Sequence, residues 1–182
     1  MKELSLNILD IAENSVKAKA PLTQILIDET ETTLTIAVVD NGCGMTPDVL
    51  ERVTDPFYTT RTTRKVGLGI PFFKMEAEMT GGSFSIESKS ESEYPNDHGT
   101  VIKATFHKDH IDFIPLGDVV STVTTLIQGH PDSDFIFRHV FPGGEASLDT
   151  RELRNELGGV SLAEYEVIKW IDEYLKEQYQ SN

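Results

Sequence analysis

Asp10-Ile11-Ala12-Glu13-Asn14-Ser15-Val16-Lys17, then Asp40-Asn41-Gly42-Cys43-Gly44-Met45, then Lys65-Val66-Gly67-Leu68-Gly69-Ile70 are the three stretches on which the reading of this chain turns. The first lies in a run, Lys2 to Lys17, whose apolar residues Leu4, Ile8, Leu9, Ile11, Ala12 and Val16 recur at helical spacing. Asn7, Asp10, Asn14 and Lys17 fall together on another face of that helix. The second stretch follows a β-branched run, Leu34 to Val39, which pairs across an acidic turn with Ile25 to Asp28 as an antiparallel hairpin. Asp40 therefore arrives at a strand end. The third opens a helical run, Leu68 to Met79, with Pro71 in its first turn and Gly81-Gly82 as its stop.

Working outward, Pro47 to Val53 reads as a short helix, and Thr54 to Lys65 as a loop without periodicity. Phe84 to Glu87 and Thr100 to Phe106 read as a second strand pair joined by a polar segment, Ser88 to His98. After His107 a helix over Leu116 to Ile127 is expected. A hairpin of Phe135 to Val140 with Glu145 to Leu148, turning at Pro142-Gly143-Gly144, and two closing helices complete the chain. The expected fold class is α/β, divided into a main unit over 1–107 and a small α+β extension over 108–182. The extension carries no motif of known chemistry, and partner docking or a dimer contact are both open to it.

A chain of 182 residues can bury one good-sized core with a small appendage. Its 30 acidic residues against 16 basic ones, a net charge of -14, argue against a nucleic-acid partner, so any anion site must be local. The single cysteine, Cys43, cannot form an internal disulfide, and no run of about 18 apolar residues suggests a membrane span. The expectation is a cytoplasmic protein without a signal peptide.

Asp10 and Asn14 stand one helical turn apart, so both side chains can address one ligand; a carboxylate and an amide oxygen suit Mg²⁺ and the water beside it. Asp40, where a strand meets a glycine turn, can accept from an exocyclic amine such as adenine N6. Gly42 and Gly44 would let the backbone approach the ring, with Met45 closing the turn. Gly67-Leu68-Gly69 at a helix start offers free N–H groups to phosphates, behind a loop bearing Arg61, Arg64 and Lys65. Thr100, entering a strand after Gly99, can reach the adenine or a water beside it. Cys43 reads as a packing residue, and His107 and His110 as surface residues without metal-ligand spacing.

In this order the motifs resemble the GHKL superfamily of gyrase, Hsp90, histidine kinase and MutL ATP-binding domains, over residues 1–107. The helix with Asn14 resembles the N box, Asp40 to Met45 the G1 box, Lys65 to Ile70 the G2 box and Gly99-Thr100 the final strand motif. Asp55-Pro56-Phe57-Tyr58-Thr59-Thr60-Arg61 is similar to the F box of sensor histidine kinases, which makes that branch the nearest. The resemblance implies a Bergerat-type two-layer sandwich, a mixed, mostly antiparallel sheet covered by helices. It also implies ATP and Mg²⁺ as cofactors, with Asn14 on the metal, Asp40 on adenine, Lys17 and Arg61 near the phosphates and Phe57 in the ATP lid.

Two departures shape the functional expectation. Only one turn of helix precedes the N box, so no acceptor-histidine hairpin is in view and phosphotransfer would reach a partner protein in trans. The position occupied by a water-activating Glu in ATP-hydrolysing relatives is here Asp10, shorter by a methylene. The alternatives are a nucleotide-dependent binding module without turnover, a weak ATPase coupled to dimerisation, or a serine kinase like the small anti-sigma kinases. The whole chain is also similar to short stand-alone ATP-binding proteins associated with iron-only hydrogenase systems.

Overall fold

The computed structural model describes residues 3–55, 57 and 68–181. The amphipathic run at the start forms α1, Leu4–Lys17, with Leu4, Ile8, Ile11 and Ala12 buried along one face. No side chain caps its N-terminus. Its first amides instead donate to Pro115 O and Leu116 O, at 2.9 and 2.8 Å, so a later loop satisfies the groups a helix start leaves open.

The β-branched runs form β1, Leu22–Glu29, and β2, Thr33–Asp40, paired antiparallel, with alternate residues turned inward. A short helix α2, Pro47–Arg52, starts at its proline, and α3, Gly69–Met79, packs beside α1. Strands β3, Ser83–Lys89, and β4, Gly99–His107, follow. Then come α4, Val119–Gly129, the hairpin β5, Asp134–Phe141, with β6, Gly144–Asp149, and the helices α5, Thr150–Leu157, and α6, Tyr165–Gln180. The helix expected from Leu116 begins at Val119 because Gly117 takes φ +79 and Asp118 caps the first turn, accepting from Ser121 N at 2.9 Å.

One six-stranded sheet results, in the order β3-β4-β2-β1-β5-β6. All pairings are antiparallel except β1 with β5, where Ile25 stands beside Phe137. The late hairpin thus extends the main sheet, and its Phe135 and Phe137 join Ile25, Ile27 and Ile36 in one continuous buried cluster. Helices on one face complete the two-layer Bergerat-type α/β sandwich. Full burial of a side chain such as Ile8 or Phe73 contributes about 1.5–3 kcal/mol.

Two polar devices tie elements together, the first between the helices that carry motifs and the second between the sheet and α6. Asn7 on α1, fully buried, donates to Glu76 on α3 at 2.7 Å, and burial pushes the Glu76 carboxyl above the usual range. His139 on β5, 3 % exposed, lies 3.0 Å from Glu29 at the end of β1 and 2.8 Å from the Tyr179 hydroxyl on α6. A carboxylate only accepts, so Nε2 carries the proton and Tyr179 donates to Nδ1 of a neutral ring. Burial holds the His139 pKa below the ordinary value, against the pull of Glu29, and burial raises that of Tyr179.

Candidate functional site

Asp40 is the last residue of β2, directly opposite Thr100 on β4 and Thr23 on β1. Opposed residues share a face with Cβ atoms about 4.5–5.5 Å apart, so Asp40 and Thr100 form one polar edge under α1. The carboxylate is fixed at both oxygens: Ser15 Oγ donates to Oδ2 at 2.7 Å and Gly42 N to Oδ1 at 2.9 Å. Each oxygen keeps a lone pair for a further donor.

Thr100 is held by a second network. Met45 N donates to Ser88 Oγ at 2.8 Å, and Ser88 donates to Gly99 O at 3.0 Å. With that one proton given away, the contact between Ser88 and Thr100 at 2.8 Å is a donation from Thr100. Thr100 Oγ1 therefore presents only acceptor capacity to a ligand.

The glycine turn owes its composition to packing as well. Gly44 has φ +66, and a Cβ there would lie 1.9 Å from Lys89 O. A Cβ on Gly42 would come within 2.8 Å of Ala18 O, just past the end of α1. Cys43 N donates to Ala18 O, Glu91 N to Cys43 O, and His98 Nδ1 to Gly42 O. The turn is clamped between α1 and the β3–β4 loop. Cys43 is exposed, its thiol 3.6 Å from Gly44 O.

Asp10, Asn14 and Lys17 line one side of α1, Asp10 and Lys17 exposed and Asn14 half-buried. Among the described residues, the Asn14 side chain has no hydrogen-bond partner. Gly69, the buried first residue of α3, sits so close to α1 that a Cβ would be 3.0 Å from Asp10 Cβ. Leu68 precedes it as the N-cap residue and supplies no side-chain cap. The first amides of α3, at the positive end of its dipole, therefore lie beside the polar face of α1. Phe57 is 92 % exposed, its amide donating to Asp55 Oδ1 at 2.9 Å. Arg61, Lys65 and Gly67 lie outside the described residues.

These groups come from four elements: a carboxylate and a hydroxyl acceptor at the ends of β2 and β4, an amide on α1, and a helix start at α3. A profile of histidine kinase-, DNA gyrase B- and HSP90-like ATPases matches residues 2–110, well over half of the chain. The chain belongs to this ATPase family.

Within the family, 94 residues are 32 % identical to the sensor protein SrrB of Staphylococcus aureus. That stretch is 49 % of this chain and 16 % of SrrB, so the likeness covers a small part of the curated relative. The ATPase domain of Aquifex aeolicus MutL, solved as a complex with ADP, superposes over 87 % of this chain and 70 % of its own, with TM-score 0.55 and 15 % identity. The N-terminal domain of a DNA repair protein covers 82 % of this chain and 52 % of its own at TM-score 0.54 and 15 % identity. At such identity the two structures speak for the fold alone.

Sequence reasoning missed Ser15, Ser88 and His98. Ser15 had a signal: it continues the buried row Ile8, Ile11 and Ala12, where a hydroxyl needs a partner. Ser88 and His98 had none, since both act through contacts the fold creates. Among the described residues no group of three His, Cys, Asp or Glu side chains could hold a metal ion, and no helix is long and apolar enough to cross a membrane.

Proposed function

We propose that this chain binds ATP with Mg²⁺ between α1, the Asp40–Met45 turn and the start of α3, and that it transfers the γ-phosphoryl group to a partner protein in trans. The observation carrying this reading is the doubly anchored Asp40 carboxylate opposite Thr100. Two acceptors fixed side by side at a strand end suit the exocyclic amine of a purine. The residues present also fit the metal. Asn14 offers a neutral amide oxygen, and without a protein cage Mg²⁺ would keep its waters and lean on phosphate oxygens. Bound there, Mg²⁺ would offset charge on the phosphates.

In this reading Asp40 and Thr100 orient the base, Asn14 holds the metal, and Lys17 with the α3 amides offsets phosphate charge. Gly42, Gly44 and Met45 shape the base wall, while Arg61, Lys65 and Gly67 are proposed for the phosphate side and Phe57 for the lid. Phosphoryl transfer asks mainly for such positioning and charge stabilisation. The partner supplies the nucleophile.

A second reading is a nucleotide-gated binding module with little turnover. It is favoured by Asp10, whose side chain stands against the start of α3 and is one methylene shorter than the water-activating Glu that the resemblance implies for ATP-hydrolysing members. Titration calorimetry with ATP, with and without Mg²⁺, tests binding on the intact chain and on Asp40→Asn. Magnesium-dependent binding that is lost in the variant supports the site, and no binding to the wild type removes it. Incubation with γ-labelled ATP and cell extract then separates the readings: a labelled protein supports transfer, and binding without label or phosphate release supports the module.

A further inference from the structure

Helix α6 exposes one stripe of unusual composition: Glu166, Trp170, Glu173, Tyr174 and Glu177, at spacings of four, three, one and three residues. Such residues share one side of a helix. The Trp170 and Tyr174 rings stack with centroids 4.7 Å apart and planes 11° from parallel. Each already covers one face of the other, yet 45 % of Trp170 and 38 % of Tyr174 remain exposed. The buried side of α6, Val167, Ile171 and Leu175, is separate and packs into the core. The two rings therefore contribute little to holding α6 in place.

The three carboxylates bear on what would cover the rings. Among the described residues Glu166, Glu173 and Glu177 form no ion pair, whereas neighbouring Lys176 is engaged by Asp172 at 2.7 Å. Burying the rings against an apolar or acidic surface would strand three negative charges at the rim. A guanidinium, in contrast, can lie flat on an indole and bond carboxylates with its edge N–H groups. Helix α6 carries two cations, Lys169 and the engaged Lys176, against four carboxylates, which leaves this side of the helix net negative.

We propose that this stripe is a docking surface for a basic, arginine-bearing segment of a partner protein, with arginine stacking on Trp170 and Tyr174 and the glutamates pairing with its charges. The proposal rests on α6 alone and does not depend on nucleotide binding.

Trp170 is the single tryptophan in the chain, so its fluorescence reports on this surface directly. The intact protein is titrated with nona-arginine and nona-lysine peptides at physiological salt. Two control variants are compared: Glu166→Gln/Glu173→Gln/Glu177→Gln, and Glu31→Gln/Glu91→Gln/Glu93→Gln, which removes the same charge elsewhere. The expected result is a saturable spectral change, several-fold tighter for arginine than lysine, weakened at least tenfold by the first triple variant and less than twofold by the second. Equal weakening by both variants, or equal affinity for the two peptides, would mean non-specific attraction to an acidic protein and overturn the proposal. So would sedimentation showing a dimer of this chain that Trp170→Ala disrupts, since the stripe would then be covered by a second copy.

Discussion

The Ser15 hydroxyl donates to Asp40 Oδ2 at 2.7 Å, from the position immediately after Asn14 on α1. One helix thus carries both the proposed metal ligand and the group that fixes the carboxylate proposed to hold the base. A hydrogen bond to a charged group is worth about 1.5–3 kcal/mol. Ser15→Ala should weaken ATP binding roughly tenfold, while Asp40→Asn should abolish it. Calorimetry on both variants checks this, and unchanged affinity in Ser15→Ala would mean that Asp40 needs no help in holding its orientation.

Gly44→Ala is expected to damage the turn directly. Its φ of +66 and the 1.9 Å approach to Lys89 O leave no room for a methyl group without moving β3. The melting temperature should fall by roughly 5–10 °C. Cys43→Ala, one residue away and exposed, should change stability by no more than about 0.5 kcal/mol. Parallel thermal melts decide it, and equal behaviour of the two variants would contradict the clamp.

Asp10→Glu extends the carboxylate by one methylene toward the reach a general base needs. If Asp10 is limited by length, steady-state phosphate release should rise at least tenfold over wild type, and Asp10→Asn should abolish what turnover there is. A rise in neither nucleotide turnover nor partner labelling would remove Asp10 from the chemistry.

His139 should give stability a pH dependence. Its pKa is depressed in the folded state by burial, so the unfolded chain takes up a proton first as pH falls. The stabilisation is complete above the unfolded value of about 6.5 and declines as pH drops below it toward the folded value. Denaturant midpoints measured between pH 7.5 and 5.5 should decline more steeply in wild type than in His139→Gln. Parallel slopes would mean another group governs the window.

The family profile ends at residue 110, but packing does not. Tail residues Pro115 and Leu116 cap α1, His130 reaches Glu13 on α1 at 2.8 Å, and β5 covers the flank of β1. A 1–107 fragment should therefore be unfolded or aggregated by circular dichroism and gel filtration. A folded, ATP-binding fragment would establish residues 1–107 as an independent unit.

The local elements were readable because their signals are local. The face of α1, the β-branched runs around Asp40 and the Pro47 and Gly81 boundaries all follow from spacing and backbone chemistry. The parallel pairing of β1 with β5 was not, because the partners are over a hundred residues apart and a hairpin signal says nothing about which strand it joins. Within the site, Asp40 and Thr100 were legible as motif residues, and the structure sets them opposite each other. The network through Ser88 and the clamp by His98 depend on where the β3–β4 loop lands. No pattern in residues 88–98 announces that.

The side-chain amide of Gln178 bonds both backbone groups of Ser147 on β6, accepting from N at 2.9 Å and donating to O at 3.0 Å. Strand β6 is the outer member of the sheet, paired with β5 alone, and exposed backbone groups on such a strand invite a foreign strand to add on. Gln178 stands in for that stranger, in the last turn of the final helix. Losing Gln178 with the end of α6, or unwinding this turn, would leave both Ser147 backbone groups open to a foreign strand, and such material should thicken into oligomers while the proposed nucleotide site around Asp40 and Thr100 stays intact.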